Sequence, residues 1–298
     1  MDASGYTDEK DFTVRNQQAQ TGVGLNWKHE HGQLQFNYNF NYIERNYIDD
    51  SVYKSSPYLD YSNSGYIGRT HFAEIYHTQR LMNWELLTGF DYRAHNTYQR
   101  YFSTGPFGDY EMGPWTAMMH QYSPYASLML KTTTGFNIEI GGRLNFHSEY
   151  GNNFTYNINP SYRINPRTQL FINYYTAFKA PTLYQLFDPQ AGNTGLDPEK
   201  GKIAETGISF SPAKDLDIRV VGFGRRSNNT IEYITIDPIN YISQYRNIAR
   251  QENYGVELEV AYKYEKWTLR GNYAFTDGKT RSAYDGTGAS LGKRYQLL

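Results

Sequence analysis

The sequence predicts an all-β fold: a transmembrane antiparallel up-and-down β-barrel, present in part as about 12–13 strands. Three observations carry that expectation. Polar and apolar residues alternate along segments of ten residues and more. The connections between these segments alternate between tight turns and long polar loops. Aromatic residues are abundant although mean hydropathy is low, with 30 Tyr and 16 Phe in 298 residues at a mean hydropathy of −0.73. A membrane barrel combines these properties because only every second residue meets lipid, while rings gather at both interfaces.

Taken in chain order, the first tight turn falls near Glu30–Gly32 and opens the clearest strand. Leu34, Phe36, Tyr38, Phe40 and Tyr42 form one face, against Gln33, Gln35, Asn37, Asn39 and Asn41. Helical spacing would mix the two sets, so this is a strand. A connection at 48–65, a turn near Gln79–Arg80 and a connection at 101–114 mark the next strands. After the turn at Thr132–Gly135, Phe136, Ile138, Ile140, Gly142, Leu144 and Phe146 alternate with Asn137, Glu139, Arg143, Asn145 and His147. Gly151-Asn152 is a short exception on the long-loop side. Phe154, Tyr156, Ile158, Tyr162 and Ile164 then alternate with polar residues up to the turn at Asn165–Arg167. A strand over 170–177 leads into the connection at 179–201, and a turn at Pro212–Lys214 precedes the connection at 229–249. Val256, Leu258, Val260, Tyr262 and Tyr264 form a further apolar face, closed by the turn at Glu265–Lys266. Beyond a connection at 278–290, part of a thirteenth strand is expected from Leu291, ending in mid-strand at Leu298. Runs this long suit a tilted crossing of a bilayer, whereas strands in soluble domains centre on about five or six residues. Short turns on one rim and long loops on the other orient the barrel, with the long side extracellular.

Composition removes several classes. With 29 basic and 30 acidic residues the charge is balanced, which does not favour nucleic acid. The absence of cysteine excludes disulfides and thiolate metal sites. No apolar run approaches the ~18 residues of a membrane helix. The segment Met1–Tyr6 has neither the charged nor the apolar part of a signal peptide. The chain is expected to be a single barrel domain fragment over 1–298, without the last strands of a closed barrel. Catalytic motifs are not found: His29 and His31 flank a turn without a third ligand, and Gly222-Phe223-Gly224 lacks a nucleotide fingerprint. The expectation is no enzyme, no cofactor and no metal. The acids Asp49, Asp50 and Asp60 offer calcium ligands, with a solvated loop as the favoured alternative.

One segment is more specific. Phe178-Lys179-Ala180-Pro181-Thr182-Leu183-Tyr184-Gln185-Leu186-Phe187 resembles the FRAPTLxELY box of TonB-dependent outer-membrane receptors, with Lys179 in place of Arg. Gly192-Asn193-Thr194-Gly195-Leu196-Asp197-Pro198-Glu199 is similar to that family's GNPxLKPE box, departing at Thr194 and Asp197. Gly255, Val256 and Glu257 resemble a later strand start. The resemblance implies a barrel of about 22 strands around a plug, residing in the bacterial outer membrane, and by that standard 1–298 is expected to be barrel without its plug domain. The implied partners are outer-membrane lipid and lipopolysaccharide, the barrel's own plug and, through it, TonB. The implied cargo is a small-molecule metal chelate, cobalamin or a ferric siderophore. Receptors for haem resemble one another in a His between the two boxes, and Thr182 to Gly192 contains none. The cobalamin branch is the nearest likeness.

Loop aromatics Tyr58, Tyr61, Trp115, Tyr233, Tyr241 and Tyr245 are candidate ligand-stacking residues, with an interfacial girdle as the alternative. Asn37, Asn39, Asn157, Asn159, Arg163 and Glu257 are expected to line a lumen. The rival readings are a passive pore or structural barrel, and a soluble carbohydrate-binding β-domain.

Overall fold

A computed structural model describes residues 12–50, 60–237, 239–240 and 242–280. Twelve strands follow one another in a single sheet whose spatial order is the chain order. They are β1 (Thr13–His29), β2 (Gly32–Asp49), β3 (Tyr61–Leu81), β4 (Trp84–Thr104), β5 (Tyr110–Lys131) and β6 (Phe136–His147). After these come β7 (Gly151–Asn165), β8 (Thr168–Lys179), β9 (Glu199–Ala213), β10 (Leu216–Asp237), β11 (Ile242–Tyr264) and β12 (Trp267–Thr280). Every neighbouring pair is antiparallel, and among the described residues β1 and β12 remain the two edges. The expected thirteenth strand, the connection at 278–290 and the end at Leu298 lie mostly or wholly outside the described residues.

Cross-strand register shows why the alternation is continuous around the wall. Leu25 faces Phe36, Phe36 faces Ile75, Ile75 faces Phe90, and Phe90 faces Pro124. Further round, Leu170 faces Ile208, Ile208 faces Val220, Val220 faces Leu258, and Leu258 faces Tyr273. This face is apolar yet exposed: Leu25 is 63% accessible, Ile140 51% and Ile172 55%. Such a surface belongs in hydrocarbon, where strands can cross only if their backbone groups pair with each other. Among the described residues no helix is long and apolar enough to cross a membrane. Trp27, Trp84, Phe136 and Trp267 lie within the last residues before or after the tight turns, as an interfacial girdle requires.

The opposite face is polar and hydrogen-bonded. Tyr125 donates to Glu74 (2.7 Å), Ser127 to Glu139 (3.0 Å) and Tyr175 to Glu205 (2.8 Å). Asp91 is fully buried there between Arg143 and Arg93, with Ser123 and Asn145 beside it. Asn37, Asn157 and Glu257 fall on this inner face as expected, opposite Gly24, Gly141 and Val221.

Several turns differ from expectation. The turn placed at Gln79–Arg80 lies at Met82-Asn83, because β3 and β4 pair down to Leu81 and Trp84. The turn placed at Pro212–Lys214 lies at Lys214-Asp215. The largest correction concerns 229–249, read as a long loop. There β10 and β11 stay paired up to Asp237 and Ile242, through irregularities near Thr230. The β-branched and aromatic run Ile231–Ile236 sustains a ladder well beyond any bilayer. Strands also extend into the connections placed at 48–65 and 101–114: β2 runs to Asp49 and β3 from Tyr61, β4 to Thr104 and β5 from Tyr110.

Strand length therefore sets an uneven rim. β3, β4, β5, β10 and β11 run 21 to 23 residues, whereas β6 to β9 run 12 to 15. A tilted crossing uses about 10 residues, so two tall walls flank a low section of rim. The segment 180–198 springs from that low section.

Candidate functional site: the barrel mouth and the loop across it

The loop begins where Pro181 removes a backbone donor and stops the β8 ladder at Lys179. Thr182 then caps the one-turn helix α1 (Leu183–Phe187). Its hydroxyl accepts the Gln185 N–H, while the Gln185 side chain accepts the Thr182 N–H (2.9 Å). Asp188 continues the turn by accepting the N–H groups of Gln190 and Ala191. Asn193 closes it, donating to the Tyr245 carbonyl (2.9 Å) and accepting the Gly195 N–H.

Unlike the wall, this loop has an apolar core. Leu183, Leu186, Ala191 and Leu196 are four of the seven buried apolar residues among those described, and Pro181 is also fully buried. Burying each leucine contributes about 1.5–3 kcal/mol, which holds the segment in one shape. The approach is tight at Gly192, where a Cβ would come within 2.9 Å of the Leu186 carbonyl oxygen.

The shaped loop bridges the two tall walls. On one side α1 packs against β4 and β5, and Gln190 donates to the Tyr110 hydroxyl (3.3 Å). On the other, Tyr245 N–H donates to the Ala191 carbonyl (3.1 Å) and Gln244 to the Gly192 carbonyl (2.8 Å). Asn247 and Asp197 exchange two bonds, at 2.7 and 2.8 Å. At its base Lys179 Nζ pairs with Glu199 Oε1 at 3.0 Å. The same carboxylate oxygen accepts the Ile231 N–H at 3.3 Å.

Between loop and wall lies a cavity of about 350 Å³, lined by Ser64, Tyr66, Gln99, Arg100, Tyr101, Tyr110, Tyr184, Asp188 and Gln190. Tyr184 stands edge-on to Tyr245 (6.1 Å, 80°), and Tyr245 lies 5.1 Å from Tyr233. Burial, then the nearby Asp188 carboxylate, pushes the Tyr184 phenol up to about 12. The Tyr184 phenol therefore remains a neutral donor at ordinary pH, and the three ring faces are suited to stacking on a large planar or ring-bearing molecule. Among the described residues no three His, Cys, Asp or Glu converge on a point where a metal ion could sit.

A larger concavity, about 890 Å³, lies at the opposite end of the inner wall. Its lining includes Arg163, Arg167, Asp217, Arg219, Glu259 and Arg270. This is a curved charged wall rather than an enclosed chamber. Its residues lie beside the tight turns at 166–167 and 214–215.

The architecture and the loop motif both agree with the comparison that decides the family. Residues 2–296 match the family described as TonB dependent receptor-like, beta-barrel. The chain belongs to the TonB-dependent receptor β-barrel family. In sequence it is 31% identical over 126 residues to the vitamin B12 transporter BtuB of Vibrio cholerae, a match covering 42% of this chain and 20% of that one. In fold it is similar to the copper transporter OprC, with a TM-score of 0.73 at 14% identity, covering 93% of this chain and 52% of that one. The siderophore receptor PirA of Acinetobacter baumannii gives 0.69 at 14% identity, covering 91% and 45%. The chain thus spans about half the length of these solved receptors, and the sequence match a fifth of the curated transporter's length.

Within this receptor barrel the family-motif residues have identifiable work. Phe178 ends the outward row of β8, Lys179 and Glu199 clamp the loop base, and Ala180 and Pro181 redirect the chain. Asn193, Leu196 and Pro198 shape the descending arm; Leu196 and Pro198 are buried. Gly255 receives the Phe223 ring, 2.6 Å from where a Cβ would stand, so the ring lies flat on the inner wall. Glu257 lies on that wall opposite Val221 and Ala274.

Of the aromatic candidates, Tyr233 and Tyr245 form a direct cross-strand pair. Tyr61 begins β3, near Phe102 (6.1 Å) and Glu111, away from that pair. Trp115 lies inside β5 opposite Gln99, its indole N–H buried without a hydrogen-bond partner among the described residues. None of these four is in a loop, because the strands continue above the membrane. Tyr58 and Tyr241 fall outside the described residues. Tyr66, Tyr101, Tyr110, Asp188 and Gln190 were not legible as site residues, since only register and the folded loop bring them to Tyr184.

Proposed function

We propose that this barrel domain is part of an outer-membrane receptor that takes up a bulky micronutrient chelate, with cobalamin ahead of a ferric siderophore. The observation that carries the reading is the cross-lumen loop 180–198, which presents Tyr184 beside Tyr245 and Tyr233 at the barrel mouth. A plain pore gains nothing from an apolar-cored segment across its opening. In a receptor, such a segment narrows the entrance and offers stacking surfaces. Cobalamin is placed first because the sequence match to a vitamin B12 transporter covers 42% of the chain. Energy from TonB would reach the barrel through a plug in contact with the inner wall, and the charged concavity around Arg163, Arg219 and Glu259 supports such a contact.

Equilibrium binding of cyanocobalamin and of a ferric siderophore to the detergent-purified protein tests the reading. We expect a preference for cyanocobalamin that weakens at least tenfold in Tyr184→Ala and Tyr245→Ala. Siderophore preference would replace the cargo. Binding of neither, together with stable unitary conductance in planar bilayers, would favour a passive pore.

A further inference from the structure

Sequence spacing pairs His29 with His31, but the fold pairs His29 with a residue of another strand. His29 ends β1 opposite Gly32 of β2, and Gly32 stands opposite Gln79 of β3. His77 lies two residues before Gln79 and so shares its face. The whole of β2 separates the two histidines, yet their rings meet across it, with the Nε2 atoms 2.9 Å apart. Gly32 leaves the room for this. A Cβ there would fall 3.0 Å from both Cε1 and Nε2 of His29. The strands beneath are held together at the same point, where the His31 carbonyl accepts the Arg80 N–H at 2.7 Å. Both rings are half-buried at the turn end of the outward face, His29 one outward position beyond Trp27.

The rings lie end to end, their centroids 5.2 Å apart and their planes 14° from parallel. One Nε2 therefore donates its proton to the other. Among the described residues neither Nδ1 has a hydrogen-bond partner, so the donor ring can carry that proton on its own Nδ1 instead. The shift, with water as carrier, leaves two neutral imidazoles with both Nε2 lone pairs free, the form that binds metal. No proton is lost from the pair. At an imidazole–metal bond of about 2.0 Å, two nitrogens at right angles on one ion stand about 2.8 Å apart, and at the tetrahedral angle about 3.3 Å. The observed 2.9 Å fits the right-angled arrangement. That arrangement is the preference of Cu²⁺, which also heads the affinity order of divalent first-row ions. Tipping each ring about its Cβ–Cγ bond turns the lone pairs off the line between them and onto one ion.

We propose that His29 and His77 form a two-histidine site for Cu²⁺ at the turn end of the outward face. Among the described residues no third His, Asp or Glu converges on the pair, so water completes the coordination and the ion stays exchangeable. The site lies at the opposite rim from the loop 180–198 and is independent of the cargo bound there. Its effect is on the wall. Among the described residues β1 is an edge strand whose one neighbour is β2, and an ion held by His29 and His77 ties β1 directly to β3. The turn at Glu30-His31 is enclosed by that tie.

Titration of the untagged, detergent-purified protein with Cu²⁺ in a non-coordinating buffer tests the site, read by calorimetry and electron paramagnetic resonance. We expect about one tightly bound equivalent with two equatorial nitrogens in its spectrum. H29N and H77N should each weaken binding at least tenfold and remove one nitrogen, whereas H31N should change neither. Hydrogen exchange at the turn and the adjoining end of β1 should slow when Cu²⁺ is added to the unaltered protein, and not when it is added to H77N. Binding that survives H77N but fails in H31N would give the ion to the turn alone and overturn the proposal. An unaltered protein without stoichiometric binding would overturn it equally. If a variant does not fold, the unaltered protein decides: fewer than two nitrogens, or no slowing of exchange, removes the site.

Discussion

Lys179 Nζ and Glu199 Oε1 stand 3.0 Å apart, tying the last residue of β8 to the first of β9 beneath the loop that crosses the mouth. The two halves of this clamp are unequal. Lys179 is 63% exposed, and a solvent-screened pair of this kind is worth at most about 1 kcal/mol. Glu199 is 19% exposed and also accepts the Ile231 N–H. Glu199→Ala should therefore raise hydrogen exchange in 180–198 and at Ile231, while Lys179→Ala affects the loop only slightly. Equal effects would show that the backbone acceptor role is unimportant.

The loop's apolar core should be separable from the wall. Leu186 and Leu196 are each 3% exposed, and truncating a leucine so buried costs about 2–5 kcal/mol. Leu186→Ala and Leu196→Ala should open 180–198 to limited proteolysis, with the ladders of β6 to β9 still protected. Loss of strand protection in the same experiment would mean that the loop is needed to hold the wall.

Alkaline pH should undock the loop in a defined window. Burial holds the Tyr184 phenol in its neutral form up to about 12, against about 10 for an exposed tyrosine. Its contribution to docking is complete below about pH 10 and is lost as pH rises towards 12, because the undocked phenol ionises first. The tyrosinate absorbance difference between the unaltered protein and Tyr184→Phe should have its midpoint near 12. A midpoint near 10 would place Tyr184 in free solvent.

The two faces of the wall should respond oppositely to charge. Ile140 is 51% exposed on the outward face, between Leu128 and Ile158. Ile140→Arg should destabilise the barrel by about 2–4 kcal/mol in lipid. Asn37→Arg, on the inner face, should change stability far less. Unfolding titrations in vesicles measure both, and equal sensitivity would contradict the assignment of faces.

How much of this was legible in the chain depended on the range of the interaction. Alternation such as Leu34–Tyr42 against Gln33–Asn41 gave strands and faces directly, because side-chain direction in a strand depends only on parity. Pro181 marked the end of β8, because proline removes the ladder donor whatever surrounds it. Local signals place a turn at Gln79–Arg80 and a loop over 229–249, whereas cross-strand pairing sets the turn at Met82-Asn83 and keeps 231–236 in a ladder with β11.

The β class, the apolar and polar faces, and the family motif at 178–199 follow from local pattern. That Tyr184 meets Tyr245, that Gln190 reaches Tyr110 and that Asn193 reaches the Tyr245 carbonyl follows only from the folded chain. Parity and proline act within a few residues, whereas these contacts depend on strand register and on the path of a loop between distant strands.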